Sequence, residues 1–356
     1  MLSVIKALPQ NYKKTVLVYF NEIDTDIVKR YKDENCDMQF LNLERKNFCG
    51  IFGALRLIKI IQKKFKNSGA DIVHIQYLAP AFQPIVAAWL AGKRIFATIH
   101  TSGGYYSWYH KLLVRVASLL TKKFICVSKN AEIFWFGNTN KTRRHQTIRN
   151  YIDIDNITQT VLKNNWETLF QKFSIPKQKR IICYAGRLVE PKGVHYLFET
   201  FRQLNKQYND IHLLIIGDGI EKPFLEKKVS ENLLTAKVTF TGNIPQEDVF
   251  TLISKSYIFV MPSYFEGFGL SAAEAMCLGI PVVGSNVDGL REIIEHNKSG
   301  ILVPIKNAVA LKEAVSKMLD EDDLYEKFST NSKNYIEQHF SKTIYKEQLN
   351  KLYDIL

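Results

Sequence analysis

The chain has 356 residues, enough for two domains, and its 46% of hydrophobic and 23% of charged residues exclude a disordered, collagen-like or low-complexity protein. No apolar run approaches the ~20 residues that a membrane-spanning helix needs, so none is expected. The net charge of +13 is unevenly distributed: residues 1–150 carry 24 Lys and Arg against 9 Asp and Glu, a net charge of +15, and the remaining residues sum to −2. A basic first half predicts an anionic partner such as nucleic acid, anionic lipid or a phosphorylated ligand.

The first ten residues lack the long apolar stretch of a secretory signal, so we expect a cytoplasmic protein. The cysteines are odd in number, widely spaced and without a C-x-x-C pair, which indicates neither a disulfide framework nor a zinc site. We interpret all five as reduced, mostly buried thiols: Cys36, Cys49, Cys126, Cys183 and Cys277.

Short runs rich in β-branched residues alternate with longer helical patterns, which is typical of parallel β-α-β units. In the first half the predicted strands are Thr15–Phe20, Ile72–Gln76, Arg94–Ile99 and Phe124–Val127. In the second half they are Arg180–Ala185, His212–Ile216, Lys237–Thr241, Ile258–Met261, Pro281–Gly284 and Gly300–Val303. The chain ends in three predicted helices, Asn307–Leu319, Asp322–His339 and Ser341–Leu356.

This alternation predicts an α/β protein with two Rossmann-like domains, each built on one open parallel sheet. The first domain is expected at 1–150 and the second at 179–340. Residues 151–178 are polar and without strong strand character, so we interpret them as the connection between the domains. The terminal helix 341–356 is expected to pack back on the first domain.

The first candidate binding turn follows the strand Arg180–Ala185 and reads Gly186-Arg187-Leu188-Val189-Glu190-Pro191-Lys192-Gly193. A helical pattern comes directly after it. Two cations five residues apart, beside the N–H groups of a helix start, suit a diphosphate. A plain glycine turn with surface charges explains the same residues about as well.

Two further strands also end in glycine turns, with Gly217-Asp218-Gly219 after one and Gly242-Asn243 after the next. The carboxyl ends of parallel strands meet at one edge of a sheet, where ligands bind in open α/β folds. Tight turns explain any one of the three motifs, whereas a shared ligand crevice explains all of them.

The most informative segment runs from Pro262 to Met276 and contains two carboxylates eight residues apart. Glu266 lies in a glycine-rich loop, and Glu274 lies about one turn into the next helix. Glycines in the loop would let the backbone approach a ligand closely, and the helix start offers N–H donors to an anion. The alternatives are a capping box between Ser271 and Glu274 and a plain loop carboxylate at Glu266.

Residues 180–304 resemble the C-terminal domain of a retaining family 4 glycosyltransferase (glycosyl transferases group 1) of the GT-B fold. Three motifs carry the resemblance: the E-x7-E pair Glu266 and Glu274, the G-R-L-x-x-x-K-G turn at 186–193, and the G-x-P-V-V strand at 279–283. Weaker landmarks at 71–74, 98–100, 127–128 and 150–153 extend it over nearly the whole chain. It implies two Rossmann-like domains that face each other across a donor-binding cleft.

The resemblance also implies roles for single residues. Arg187 and Lys192 would hold the donor diphosphate and stabilise its charge as the glycosidic bond breaks. Glu274 would bind the nucleotide ribose, and Glu266 with the backbone of 267–270 would bind the transferred sugar. The remaining donor-binding candidates are Gly186, Gly217, Asp218, Gly242, Asn243, Ser263, Gly267, Phe268, Gly269 and Leu270.

His100 resembles the family histidine that contacts the donor sugar from the other domain, although a structural histidine is the alternative. No metal or other cofactor is expected: Asp24-Thr25-Asp26 has the Asp-x-Asp spacing but opens a predicted helix, so we interpret it as a cap. The donor would be a UDP- or GDP-linked sugar. The acceptor would be a saccharide or lipid-linked saccharide of bacterial surface polysaccharide or lipooligosaccharide synthesis, and no nucleic-acid motif is found.

One stretch departs from the family pattern, since 20–23 reads Phe-Asn-Glu-Ile where relatives carry a glycine pair after the first strand. This predicts an unusual acceptor pocket. Two other functions stay open: a GT-B sugar-nucleotide enzyme of different chemistry, such as a 2-epimerase, and a membrane-associated nucleotide-binding module without turnover.

The basic half contains two amphipathic helix patterns. The first, Ile51–Lys66, has a cationic stripe beside an apolar face that includes Ile51 and Leu55; the stripe is Arg56, Lys59, Lys63 and Lys66. The second, Trp108–Leu120, carries Lys111 and Arg115 and follows Tyr105 and Tyr106. Packing of the apolar faces on the sheet explains the same patterns, but the charge asymmetry favours peripheral binding of this domain to an anionic membrane, at the inner face of the cytoplasmic membrane.

Overall fold

A computed structural model describes residues 2–9, 11–21, 25–77, 82–100, 106–137 and 144–353. Contacts between residues divide the chain into two compact units. Unit 1 comprises Met1–Tyr151 with Thr343–Leu356, and unit 2 comprises Ile152–Lys342. Glu22, Ile23, Asp24 and Tyr105, which the sequence interpretation uses, and residues 354–356 of the predicted terminal helix lie outside the described ranges.

Unit 1 is a parallel α/β unit. Its strands are β1 (Thr15–Phe20), β2 (Asp37–Leu43), β3 (Ile72–Tyr77), β4 (Arg94–Ile99), β5 (Lys123–Cys126) and β6 (His145–Thr147). Its helices before residue 151 are α1 (Leu2–Ala7), α2 (Thr25–Lys32), α3 (Gly50–Asn67), α4 (Gln83–Leu90), α5 (Trp108–Ser118) and α6 (Lys129–Phe136). Helices α3 to α6 share apolar contacts on one side of the unit, through residues such as Ile61, Ile85, Val114 and Trp135.

The prediction of one sheet in this half is wrong, because the described residues of unit 1 form two. β1 pairs with β2, and β3-β4-β5-β6 form a separate parallel sheet. A cavity of about 320 Å³ lies between β1 and β3, lined among others by Val16, His74 and Tyr353. The sequence pattern also misses β2 and β6, because β2 is interrupted by polar residues and β6 has only three residues.

Unit 2 contains one six-stranded parallel sheet with the order β12-β11-β10-β7-β8-β9. Its strands are β7 (Arg180–Ala185), β8 (Ile211–Ile216), β9 (Val238–Gly242), β10 (Ile258–Met261), β11 (Val282–Ser285) and β12 (Gly300–Val303). Apolar clusters cover both faces, which explains why strands such as β10 are continuous apolar runs. The helices are α7 (Ile154–Lys163), α8 (Trp166–Lys172), α9 (Val194–Leu204), α10 (Lys222–Glu231), α11 (Gln246–Ser254), α12 (Leu270–Cys277), α13 (Asp288–Ile293), α14 (Ala308–Asp320) and α15 (Asp322–Phe340).

The segment 151–178 differs from the expected connection, because all but its first residue belong to unit 2. Its two helices, α7 and α8, contribute Ile157, Leu169 and Phe170 to the core of that unit. Each helix buries only one side, so most of its residues face solvent and are polar. The segment therefore has the polar composition of a linker because α7 and α8 each bury only one face.

The last helix, α16 (Lys342–Tyr353), packs on unit 1. Its Leu349 and Tyr353 are buried with Phe96 and Ile125, which belong to β4 and β5. Within the described ranges, no helix combines the length and the apolar character that crossing a bilayer requires.

Candidate functional site

The candidate site lies at the carboxyl edge of the unit 2 sheet, where the strand order reverses. From β7 the chain continues to β8 and β9 on one side, whereas β10 is followed by β11 and β12 on the other. Because β7 and β10 are neighbours, the loops after them lead away in opposite directions and open a crevice. Those two loops are the strongest sequence motifs, residues 186–193 and 262–269.

An ion pair joins the two loops. Lys192, in the turn after β7, donates to Oε1 of Glu266, in the loop after β10. The hydroxyl of Ser263 donates to the same oxygen at 2.9 Å. The side chains of Lys192 and Glu266 are only 20% and 10% exposed. The two residues that the sequence assigns to different parts of a donor are therefore in direct contact.

Close backbone approach holds these loops together. The N–H of Tyr264 donates to the carbonyl of Pro191 at 2.9 Å, and Gly193, at φ 64°, has no room for a Cβ beside the Tyr264 ring. Gly289 of α13 donates its N–H to the Glu266 carbonyl at 3.1 Å, and a Cβ there would lie 2.7 Å from the backbone nitrogen of Phe268. Gly289 is not predicted from the sequence, because a lone glycine in a helical pattern carries no sign of a distant contact.

Arg187 lies in the same turn as Lys192 but is exposed. Its carbonyl accepts a hydrogen bond from the Tyr184 hydroxyl at 2.9 Å, which holds the backbone of the turn. Among the residues that the structure describes, none forms a hydrogen bond or ion pair with the Arg187 guanidinium. This cation is therefore available to an anionic ligand beside the Lys192–Glu266 pair.

The three predicted glycine turns meet at this edge of the sheet. The N–H of Gly186 donates to the carbonyl of Ile216 at 2.9 Å, and the N–H of Gly217 donates to the carbonyl of Gly242 at 3.0 Å. A Cβ at Gly217, where φ is 124°, would lie 3.0 Å from the carbonyl carbon of Gly186. The turns thus form one hydrogen-bonded rim.

Two polar residues of this rim differ in their surroundings. The carboxylate of Asp218 accepts the N–H of Gly219 at 2.7 Å and lies 3.4 Å from the ammonium of Lys222, so it stabilises its own turn. Asn243, in the third turn, is exposed. Of the two, Asn243 has the freer side chain for a ligand.

The loop 267–270 leads into α12. Gly269 adopts φ 86° immediately before the helix, and Gly267 is partly exposed. Phe268 is buried in the core with its ring centroid 5.4 Å from that of Phe340, so its backbone and not its ring is available to a ligand. Leu270 is exposed at the first position of the helix.

The proposed capping box between Ser271 and Glu274 is absent. α12 begins after Gly269 without a side-chain cap, and the Ser271 hydroxyl instead donates to the carbonyl of Ala185 at 2.9 Å. The spacing suggested a cap, but the left-handed Gly269 is the N-cap, so the helix begins at Leu270 and Ser271 is already its second residue. Ser271 therefore attaches α12 to the end of β7, and Glu274 has no capping role.

Glu274 is a partly buried carboxyl in α12. Burial raises its pKa to about 7, and a hydrogen bond with the side chain of Gln246 opposes that rise. The carboxyl is therefore close to half-protonated at neutral pH. Ligand hydroxyls that donate to it would favour its ionised form.

Glu274→Gln should remove a pH-dependent part of the stability. The folded protein keeps the Glu274 proton up to a pH of about 7, whereas the unfolded chain loses it near 4.5, so this group stabilises the fold most below pH 4.5 and its contribution is lost as the pH rises to 7. This loss in the free energy of unfolding is on the order of 3 kcal/mol. Urea unfolding between pH 4.5 and 7 should show the loss in the wild type and in the control Glu247→Gln, whose side chain is exposed, but not in Glu274→Gln. Parallel stability profiles for all three proteins would contradict the prediction.

His100 lies in unit 1, immediately after β4, and belongs to a partly buried chain of polar groups. Its Nε2 lies 2.6 Å from Oε1 of Gln76, and the amide nitrogen of Gln76 lies 2.9 Å from Nε2 of His74. Nε2 of His74 also lies 2.7 Å from the Thr98 hydroxyl, and Nδ1 of His74 contacts the Tyr353 hydroxyl.

These contacts assign the tautomers. Gln76 accepts from Nε2–H of His100 and donates to Nε2 of His74, so Nδ1 of His100 remains an acceptor. Burial lowers the pKa of His100 to about 4 and that of His74 to about 3, so both rings are neutral. The sequence singled out His100, but it carried no sign of Tyr353, which reaches His74 from the other end of the chain.

Within the described residues, no group of three His, Cys, Asp or Glu side chains is placed to hold a metal ion. All five cysteines are free, and Cys49 alone among them is exposed.

Two family models match the chain. Residues 23–156 match the model of glycosyltransferase family 4, and residues 165–335 match that of the glycosyl transferases group 1. The first region falls mainly in unit 1 and the second wholly in unit 2. Both halves are therefore similar to glycosyltransferases.

Curated relatives agree with this. The alpha-D-kanosaminyltransferase of Streptomyces kanamyceticus is 32% identical over 173 residues, which are 49% of this chain and 45% of that protein. The Staphylococcus aureus capsular polysaccharide biosynthesis glycosyltransferase CapM is 23% identical over 364 residues, or 96% of this chain and 90% of CapM. The chain thus spans about half the length of the first relative and most of the second.

Solved structures show the same fold. A glycosyltransferase from Rickettsia africae superposes with a TM-score of 0.84 at 20% identity, over 99% of this chain and 94% of that one. Anabaena HepE, crystallised with UDP and glucose, superposes with a TM-score of 0.78 at 19% identity, over 100% and 95%. These likenesses and the two parallel-sheet units confirm the predicted GT-B fold.

Proposed function

We propose that this chain, which joins a glycosyltransferase family 4 region to a glycosyl transferases group 1 region in a GT-B fold, is a retaining, hexosyltransferase-type enzyme that uses a nucleotide-sugar donor. The acceptor is a hydroxyl of a saccharide or lipid-linked saccharide. One observation carries the proposal: the Lys192–Glu266 ion pair lies at the strand-order reversal of unit 2, and the exposed Arg187 belongs to the same turn as Lys192. The fold alone would not carry it, since one fold supports many functions.

Arg187 and Lys192 bind the donor diphosphate in this proposal. When the bond between the anomeric carbon and the phosphate oxygen breaks, negative charge develops on the leaving diphosphate, and two fixed cations stabilise it. The acceptor hydroxyl attacks from the face that the leaving group vacates and gives its proton to that phosphate. The proposal assigns no step to a metal or cofactor.

Glu266 binds the transferred sugar together with the backbone of 267–270. Lys192 and Ser263 both donate to Oε1, which leaves Oε2 as an acceptor for a sugar hydroxyl. Glu274 binds the ribose hydroxyls of the nucleotide, and its raised pKa means that this contact strengthens as the pH rises through about 7. His100, neutral with an accepting Nδ1, contacts the donor sugar.

The relatives support the choice of donor and pathway. HepE was crystallised with UDP and with UDP-glucose, and CapM is described as a capsular polysaccharide enzyme. By analogy, this chain uses a UDP- or GDP-linked sugar and acts in the synthesis of a bacterial surface polysaccharide or lipooligosaccharide.

A panel of UDP- and GDP-sugars tests the proposal. We expect at least one of them to raise the melting temperature and to undergo slow hydrolysis, with retention at the anomeric carbon visible by NMR. The matching nucleoside monophosphate is the control, and it should stabilise much less because it lacks the diphosphate that the two cations bind. Epimerisation of the sugar at C2 without transfer would establish the alternative chemistry, and absence of stabilisation by every donor would contradict the proposed site.

A further inference from the structure

Unit 1 exposes an apolar helix face that its core does not use. In α5, Val114, Ala117 and Ser118 are buried. Six other apolar or aromatic side chains at or just after this helix are 39–76% exposed: Trp108, Tyr109, Leu112, Leu113, Val116 and Leu119. At 100° per residue, these six cover an arc of about 140° on the helix surface.

Packing on the sheet does not account for this face. Val114 and Ala117, on a different side of α5, already fill the contact with the core of unit 1. An amphipathic helix of a globular protein needs only one such side. A second, contiguous apolar side that remains exposed marks an interaction surface.

Neighbouring helices extend the surface. Exposed apolar side chains occur in the first turns of α3 and at the end of α4: Ile51, Phe52, Leu55, Trp89 and Leu90. Phe65 of α3, Ile85 of α4 and Val114 of α5 pack in the same apolar cluster of unit 1. The outward faces of the three helices therefore belong to the same side of the unit.

The charge of this region selects the partner. Residues 45–150 contain eighteen Lys and Arg but only two acidic residues, Asp71 and Glu132. Glu132 is buried and paired with Lys129 and His145, so it offers little negative charge at the surface. The exposed basic side chains of α3 follow its apolar first turns on the same outward side: Arg56, Lys59, Lys63 and Lys66.

Anionic bilayers complement this combination. Their headgroups attract Lys and Arg, and their interfacial layer favours Trp and Tyr beside aliphatic side chains. A soluble acidic partner would satisfy the basic residues but would not by itself account for exposed interfacial aromatics at the start of α5.

We propose that unit 1 docks on an anionic lipid bilayer through the exposed face of α5 and the first turns of α3, with the surrounding Lys and Arg held at the headgroups. The sequence patterns of both helices favoured a membrane contact. The structure gives α5 the larger exposed apolar face, because Leu57, Ile58 and Ile61 of α3 face the core. Docking needs neither donor nor acceptor, so its failure is distinguishable from failure of the proposed enzymatic function.

Vesicle flotation of the full-length chain tests this surface. We expect binding to phosphatidylcholine–phosphatidylglycerol vesicles at low salt, and little binding to phosphatidylcholine alone or at high salt. Leu112→Asp/Val116→Asp should weaken binding by about tenfold or more. The matched control is Ile220→Asp/Phe224→Asp in unit 2, whose side chains are also exposed and whose change adds the same charge.

A second variant tests the charge term. Lys59→Glu/Lys63→Glu/Lys66→Glu should reduce binding to the anionic vesicles by about a hundredfold, at roughly 1 kcal/mol per basic residue. Equal binding to neutral and anionic vesicles, or equal loss in the unit 2 control, would overturn the proposal. The proposal would also be overturned if light scattering showed a dimer that the Leu112→Asp/Val116→Asp variant dissociates while its vesicle binding is unchanged. The exposed face of α5 would then join two copies of the chain.

Discussion

Lys192→Ala should lower the rate of donor turnover by about a hundredfold or more, because it removes one of two cations proposed to stabilise the leaving diphosphate. It should also destabilise unit 2 by about 3 kcal/mol, since the buried carboxylate of Glu266 would lose its ion pair and keep, among the described residues, only the hydrogen bond from the Ser263 hydroxyl. Steady-state hydrolysis of the best donor and urea unfolding measure the two effects separately.

A double variant separates catalysis from folding. Lys192→Ala/Glu266→Gln removes the uncompensated charge, so its stability should return close to that of Glu266→Gln alone. Its turnover should stay low, because the cation is still missing. Recovery of turnover together with stability would show that Lys192 acts only by holding the loop, and a single Lys192→Ala variant with wild-type turnover would remove its diphosphate role altogether.

Arg187→Ala should reduce turnover by a similar factor of about one hundred without changing stability. The two variants differ in their effect on stability because the Arg187 side chain is exposed and has no hydrogen bond or ion pair within the described part of the chain. The Lys192 side chain, in contrast, is largely buried and forms an ion pair with Glu266. Lys192→Ala should therefore lower both the rate of donor hydrolysis and the melting temperature, whereas Arg187→Ala should lower only the rate of donor hydrolysis.

Arg202→Ala is the matched control for this variant. Arg202 is a partly exposed arginine of the same unit that is paired with Glu199 on α9, away from the glycine turns. Its loss should leave turnover unchanged. Comparable losses of turnover in both arginine variants would point to a general effect of net charge, and wild-type turnover in Arg187→Ala would exclude it from the diphosphate site.

Several parts of the fold follow from local sequence. Parallel strands that are buried on both faces are mostly apolar runs that contain β-branched residues, so β7, β8, β10 and β12 could be placed within about one residue. The glycine turns after β7, β8 and β9 are equally local, since each needs particular residues within a few positions. Polar or very short strands such as β2 and β6 lack that signal and were missed.

The sequence by itself determined the α/β class, the two glycine-rich motifs and the residue types available for an anionic ligand. Only the tertiary structure decided which of these residues touch. Lys192 and Glu266 are 74 positions apart, and they meet because β10 returns beside β7 in the sheet. His74 and Tyr353 are 279 positions apart, and they meet because α16 packs on unit 1. Hydrophobic periodicity and the residue preferences of turns depend on a few neighbouring residues. Strand order and helix packing depend instead on which surfaces of the whole chain are buried together, so a local sequence pattern cannot specify contacts between distant residues.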